Sequence, residues 1–249
     1  MRIAVCLKRV PDTTTKIVIG SDGKSIDENG VKFVANPYDE YAIEAALALK
    51  EKAGAGETVV YSLGTDAAQE TMRTALAMGI DRAVLLQGGG SPDGLEVAKA
   101  LAAELKSGGF DLILFGKMAV DDYNHQVGVM TAELLELPCI SAISHLAIEG
   151  GTVTAEREVE GGVEVVTCAL PAVLTTDKGI NTPRLPSLKG IMAAKKKPFE
   201  LKPVTLGAGG LTVTGLTLPP ERKAGRIVGE GPDAVSTLVQ LLRNEAKVI

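Results

Sequence analysis

Tryptophan is absent from these 249 residues, and phenylalanine and tyrosine number only four each. A core for a chain of this length therefore has to be built from Ala, Val, Leu and Ile, and the 45% apolar content is enough for one large domain. Cysteine is also scarce. Cys6, Cys139 and Cys168 are odd in number and far apart, which suits reduced thiols in a cytosolic protein and not a disulfide framework. With only His125 and His145 beside them, no zinc spacing can be written, so no metal site is expected. Apolar runs of about 18 residues, the length that spans a bilayer, are missing, which excludes membrane insertion by a helix. The opening MRIAVCLKRV turns polar too soon for a signal peptide. A net charge of −5 leaves no broad basic face, so nucleic acid is not an expected partner.

What is present organises around Phe110 to Leu135, FDLILFGKMAVDDYNHQVGVMTAELL. Leu112 to Phe115 is a continuous apolar run that suits a strand buried on both faces of a parallel sheet. Gly116 ends it, a polar loop with Asp121 and Asp122 follows, and a helix is expected from about His125 with Val129, Ala132 and Leu135 on its apolar face. Strand, polar loop and helix N-terminus are the usual setting for an anionic ligand in an open α/β sheet.

The remaining pattern is consistent with that frame. Ile3 to Leu7, Thr58 to Leu63 and Ala83 to Gln87 read as further buried strands, each followed by helical periodicity. Strand–helix alternation of this kind predicts a doubly wound, mostly parallel α/β sheet with right-handed crossovers. Residues 10 to 35 read as a hairpin-like excursion. In NPYDEYAIEAALALKEKAG, Asn36 is expected to cap, Pro37 to open the helix and Asp39 to reach back as in a capping box. Ala42, Ala46, Leu49 and Ala53 then form a thin apolar face. Gly88-Gly89-Gly90 matches no phosphate-loop spacing and reads as a flexible connector into a helix capped at Ser91-Pro92. From Ile140 the period changes to that of an antiparallel meander, after which Pro171 to Thr175 returns to the sheet. A Pro-delimited loop follows, then a short basic helix over Ile191 to Lys197, whose lysines read as a solvated face. Residues 200 to 230 are extended, with strand-like alternation at Leu211 to Leu218. A last helix near Pro232 carries an apolar stripe of Val235, Leu238, Val239 and Leu242. The expected division is 1–199 for the α/β domain and 200–249 for an arm that wraps a partner.

Several stretches resemble the β subunit of the electron transfer flavoproteins: CLKRVPD at 6–12, NPYDEYAIEAA at 36–46, ETMRTALAMGIDRA at 70–83, GKMAVDDYNHQVG at 116–128, REVEGG at 157–162 and LPAVLTTDKGINTPRLPSLKGIMAAKKK at 170–197. The resemblance runs along essentially the whole chain. It implies an adenine-nucleotide-binding (alpha-hydrolase-like) fold and an electron carrier subunit with no catalytic residues of its own. It also implies a larger α subunit holding most of the redox-active FAD, and a structural AMP on this chain. The implied AMP contacts are Cys6, Asn36, Pro37, Tyr38, Asp39, Leu63 and the segment Gly116 to Val127. Within that segment they include Ala119, Asp121, Asp122, His125, Gln126 and Val127. His125 and Val127 stand where some members have Asn and Thr.

The segment 183–197 resembles the family's recognition loop for acyl-CoA and related dehydrogenases. Leu188 falls on its anchoring leucine, and Pro183, Arg184, Ile191, Met192 and Lys195 accompany it. Glu158 matches a carboxylate that pairs with the α subunit. The resemblance further implies electron delivery to a membrane quinone oxidoreductase, in the bacterial cytoplasm or, in a eukaryote, the mitochondrial matrix. Two alternatives stand beside this reading. Electron-bifurcating members hold a second FAD in the nucleotide site and resemble DGDTAQVGP, where this chain has DDYNHQVGV. ATP-using adenylylating or amidating enzymes of the same fold resemble Ser-Gly-Gly-x-Asp-Ser after the first strand, where this chain has KRVPD.

Overall fold

The computed structural model describes residues 1–221 and 224–249. In chain order the strands are Arg2–Cys6 (β1), Arg9–Pro11 (β2), Phe33–Ala35 (β3), Glu57–Gly64 (β4), Arg82–Gln87 (β5), Leu112–Gly116 (β6), Cys139–Glu149 (β7), Thr152–Val159 (β8), Gly162–Ala169 (β9), Ala172–Thr176 (β10) and Phe199–Pro203 (β11). The helices are Pro37–Ala53 (α1), Ala68–Met78 (α2), Gly94–Leu105 (α3), Val127–Leu135 (α4), Leu188–Ala194 (α5) and Val235–Leu241 (α6). Nine strands make one sheet in the order β11-β5-β4-β1-β6-β10-β7-β8-β9, parallel from β11 through β7 and antiparallel over β7-β8-β9. The excursion expected over residues 10 to 35 is the β2–β3 hairpin, closed by an Ile19–Ile26 bridge.

β1 is covered on both faces, and its alternation divides the core in two. Ile3, Val5 and Leu7 pack with Ile43 and Leu47 of α1 and Met72 and Leu76 of α2. Ala4 and Cys6 pack with Leu101 and Leu105 of α3, Phe110, and Ala132 of α4. This is the doubly wound arrangement the strand–helix alternation predicts.

Local chemistry accounts for the helices, with some departures. Pro37 opens α1, Asp39 and Glu40 sit in its first turn and Lys50 and Lys52 in its last, as the helix dipole favours. Gly54 ends it in the left-handed region at φ 68°. The expected Asn36 cap and Asp39 capping box do not form; both side chains are drawn to the adjoining β6–α4 loop and strand ends. The apolar face of α1 is Ala42, Ile43, Ala46 and Leu47, while Ala53 is exposed. α3 is capped by Asp93, not Ser91; its carboxylate takes the N–H groups of Leu95 and Glu96 at 3.0 Å each. α4 begins two residues later than expected and buries Gly128, Thr131 and Ala132, leaving Val129 in solvent. A Cβ at Gly128 would lie 2.8 Å from Thr175 Cγ2, so this face of the helix sits close against β10.

β11 pairs in parallel with β5 and spans the boundary expected between 199 and 200. Beyond it the chain is held to α3 by two acids: Glu96 Oε2 takes the Gly207 N–H at 2.8 Å and Asp93 Oδ2 the Gly210 N–H at 2.6 Å. The alternation at Leu211–Leu218 makes no strand; the Leu216 N–H donates to Gly23 O instead. Residues 222 and 223, inside the stretch read as extended, lie outside the described residues. At the C-terminus, Val235, Leu238 and Val239 of α6 are exposed and Leu242 is half-buried, so most of the apolar stripe lies open among the described residues. No helix of the described residues is long and apolar enough to cross a membrane.

Candidate functional site

From β1 the chain winds outward to β4 and then β5, and α3 carries it back past β1 to β6 on the other side. The crevice between the carboxyl ends of β1 and β6 is therefore a topological switch point, where open α/β sheets bind ligands. A cavity of about 420 Å3 lies there. Its wall takes in the ends of β1 (Cys6 to Arg9), β4 (Tyr61 to Thr65) and β5 (Gly88), the first residue of α2 (Ala68), and the loops that lead into α3 and α4.

Three side chains tie these elements together. Asn36 donates from Nδ2 to Met118 O at 2.8 Å and accepts the Val120 N–H at 3.1 Å, fixing the β6–α4 loop to the start of α1. Asp39 Oδ2 takes the Lys8 N–H at 2.8 Å and Oδ1 the Gly116 N–H at 3.0 Å, which clamps the ends of β1 and β6. Lys8 Nζ reaches Asp121 at 2.8 Å and Asp122 at 2.9 Å across the mouth. Burial lowers the Lys8 pKa, but the hydrogen bonds to Asp121 and Asp122 outweigh it and leave the ammonium above its ordinary value. Burial pushes the Asp39 carboxyl up to about 7 against the pull of the Lys8 and Gly116 N–H groups. It also raises the Cys6 thiol, with the Asp39 charge adding to the effect, so Cys6 is a neutral wall residue.

Close approach at this point requires glycine. A Cβ on Gly116 would lie 2.5 Å from Asp39 Oδ1 and 2.6 Å from the Tyr38 carbonyl carbon. Two residues of the following loop, Tyr123 and His125, take the left-handed region at φ 55° each. The Asp122 carboxylate receives the Asn124 N–H at 3.1 Å within the same turn. The loop delivers the chain to α4, whose first-turn N–H groups have no intrahelical acceptor.

Cys6, Asn36, Asp39, Leu63, Gly116, Ala119, Asp121, Asp122, His125, Gln126 and Val127 all belong to this wall. Pro37 and Tyr38 do not: the Tyr38 ring lies under Lys117 Nζ at 5.2 Å, and its carbonyl accepts from Thr176 Oγ1 at 3.1 Å. The glycine run read as a connector contributes Gly88 and Gly90 to the wall. Sequence reasoning also passed over Lys8, Arg9, Ser62, Gly64 and Thr65. The rule that ligands sit beyond strand carboxyl ends could have found them once the strands were drawn.

A second surface lies on α5, which begins at Leu188 with Ser187 as its cap, so Leu188 stands on the first helical turn. Leu185 is 89% exposed, Leu188 78% and Met192 66%, and Ile191 is also exposed. A Cβ at Gly190 would collide with the Ala77 carbonyl, so this short helix sits tightly on the end of α2. Arg184 is not free: its guanidinium is bound by Glu44 at 2.8 Å and by Glu51, which fastens the segment to α1 and raises its pKa. Of the three lysines, Lys195 and Lys196 are exposed and lie beyond the helix, whereas Lys197 Nζ donates to Leu76 O at 2.8 Å and Ile80 O at 2.6 Å. Pro183 is half-buried, and Glu158 is exposed near the end of β8.

A doubly wound α/β protein with a small-molecule cleft at its switch point is the class this geometry defines. The family model for the electron transfer flavoprotein domain matches residues 24–206. The chain is 45% identical over 260 aligned residues to electron transfer flavoprotein subunit beta of Bacillus subtilis (strain 168), covering 100% of each. It is 41% identical to the Syntrophomonas wolfei subunit, over 100% of this chain and 98% of that one. The human subunit is 39% identical over 98% of each. The chain belongs to the electron transfer flavoprotein β-subunit family.

Proposed function

We propose that this chain is the small subunit of a heterodimeric electron carrier, with a structural AMP in the switch-point cleft and FAD held mainly by an α subunit. The observation that carries the reading is the cleft itself. Backbone N–H groups at the start of α4, the closely packed Gly116 and a cavity of about 420 Å3 suit a nucleotide of monophosphate size. FAD supplies the redox chemistry, and the residues of this chain bind and orient. Asn36, Asp39 and Lys8 hold three cavity-forming segments in register, which makes the bound nucleotide a strut between β1, α1 and the β6–α4 loop.

The α5 surface is the docking point for acyl-CoA and related dehydrogenases, with Leu188 as anchor and Ile191, Met192 and Lys195 around it. Arg184 and Pro183 stiffen that surface from behind. Electrons then pass to a membrane quinone oxidoreductase. The arm after Leu211 and the stripe on α6 cover themselves on the α subunit, to which Glu158 adds a charge contact. Denaturing the purified heterodimer and counting released nucleotides tests this reading. One AMP and one FAD per heterodimer is the expected result. Two FAD and no AMP would overturn it in favour of the bifurcating arrangement.

A further inference from the structure

The short helix α5 has little of its own to hold it. It is seven residues long, too short to persist alone in water, and only Ala194 on it is buried. Leu188, Ile191 and Met192 meanwhile stand exposed on its surface. Its middle rests on α2 through Gly190, and each end is fastened by a basic side chain. Ahead of it, the Glu44 carboxylate takes the Arg184 main-chain N–H at 3.1 Å and its Nε at 2.8 Å. Glu51, in the last turn of α1, takes Nη1 and Nη2 of the same guanidinium.

Behind it stands Lys197. α2 carries no basic residue in its last turn, although the carbonyls of a helix C-terminus favour a cation. Lys197 Nζ supplies that charge from outside the helix, donating to Leu76 O at 2.8 Å and Ile80 O at 2.6 Å. Burial pulls its pKa below the ordinary lysine value, and Asp81, whose charge opposes this, is already paired with Lys50 at 2.6 Å. The next residue enters the sheet at once, Pro198 O accepting the Ala83 N–H at 3.0 Å. Lys195 and Lys196, by contrast, are exposed. Resting on the docking reading above, we infer that Lys197 is a positioning residue for the dehydrogenase. It ties the far end of α5 to the C-terminus of α2, as Arg184 ties the near end to α1, and so presents Leu188, Ile191 and Met192 as one preformed face. A face ordered before contact loses less freedom when a partner docks.

The test uses the full heterodimer and an acyl-CoA dehydrogenase, with Lys197→Met, Lys197→Arg, Leu188→Ala and the double variant Lys197→Met/Leu188→Ala. Lys197→Met should raise the KM for the heterodimer as electron acceptor about tenfold while kcat stays near wild type. Lys197→Arg, which keeps a cation and its donors, should restore most of that loss. With the leucine gone there is no anchor to present, so adding Lys197→Met to Leu188→Ala should raise KM by less than about twofold further. Both ties lie outside the cleft wall, so released AMP and FAD and reduction by dithionite should match wild type. If Lys197→Met does not assemble with an α subunit, Lys197→Gln, which keeps one donor group, takes its place in the same comparison. The same tenfold rise on the Leu188→Ala background would make Lys197 a general stability residue and overturn the inference. Lys197→Met without effect on KM, where Leu188→Ala has one, sinks this inference alone. Leu188→Ala without effect sinks the docking reading with it.

Discussion

The main-chain N–H of Lys8 donates to the Asp39 carboxylate at 2.8 Å, joining the end of β1 to the first turn of α1. The other carboxylate oxygen takes the Gly116 N–H, so a single buried side chain spans the switch point.

That position makes stability depend on pH with an unusual sign. Burial pushes the Asp39 carboxyl from 3.8 up to about 7. Through this window the folded chain keeps a proton that the unfolded chain has released, so the Asp39 contribution to stability falls as pH rises from about 4 to about 7. Below the window both states are protonated, and above it the folded state bears the full cost of a buried carboxylate, on the order of a few kcal/mol. Asp39→Asn should abolish this slope, although its amide cannot accept both N–H groups and lowers stability overall. Urea midpoints of both proteins at pH 5 and pH 8 check it. Parallel pH profiles would mean that Asp39 titrates normally.

Gly116→Ala tests the clamp by sterics. The new methyl group would press on Asp39 Oδ1 and Tyr38, forcing β6 away from α1. Destabilisation of roughly 1–3 kcal/mol is expected from overpacking. Released nucleotide per heterodimer should fall in parallel, as read after gel filtration. Full nucleotide retention at wild-type stability would mean that the β6 end moves without consequence.

Leu188→Ala addresses the α5 surface. Burying a leucine in a partner pocket contributes roughly 1.5–3 kcal/mol, so docking should weaken by about one to two orders of magnitude. Leu188 is already 78% exposed and outside the cleft, so stability and AMP content should stay at wild-type values. Reduction by an acyl-CoA dehydrogenase should slow, while reduction by dithionite should not. An unchanged dehydrogenase-dependent rate would remove Leu188 from the docking surface.

Periodicity carried the strands and helices of the sheet because each has one pattern and one environment. The apolar run at Leu112–Phe115 suited a doubly covered strand, and β6 is buried over those four residues. Asn36 and Asp39 misled at the level of local rules. Their spacing is that of a helix cap, yet segments brought near by the fold, the β6–α4 loop and the ends of β1 and β6, claim their side chains. Long-range competition of that kind leaves no mark on a local pattern. The same holds for Arg184, whose guanidinium looks free in sequence but meets Glu44 and Glu51 across 140 and 133 positions. β11 escaped because an edge strand paired on one side carries no doubly apolar run; Phe199 and Lys202 are half-buried and the rest of it is exposed. The Gly88 and Gly90 contribution was hidden for another reason: the glycine run matches no known phosphate-loop spacing, and only strand order brings it beside the cleft.

The place of β10 has a consequence for how the chain assembles. Residues up to Leu170 already include β6 and the β7–β9 meander, yet these two pieces are not neighbours in the sheet. A slot one strand wide separates them, and β10 fills it by pairing in parallel with both. β11 then completes the opposite rim against β5. During synthesis from the N-terminus, the half-made protein therefore carries open strand edges on both flanks until its last two strands emerge. Those edges are templates for pairing with other chains. The interval before residues 172–203 arrive is thus when the nascent polypeptide is most exposed to aggregation.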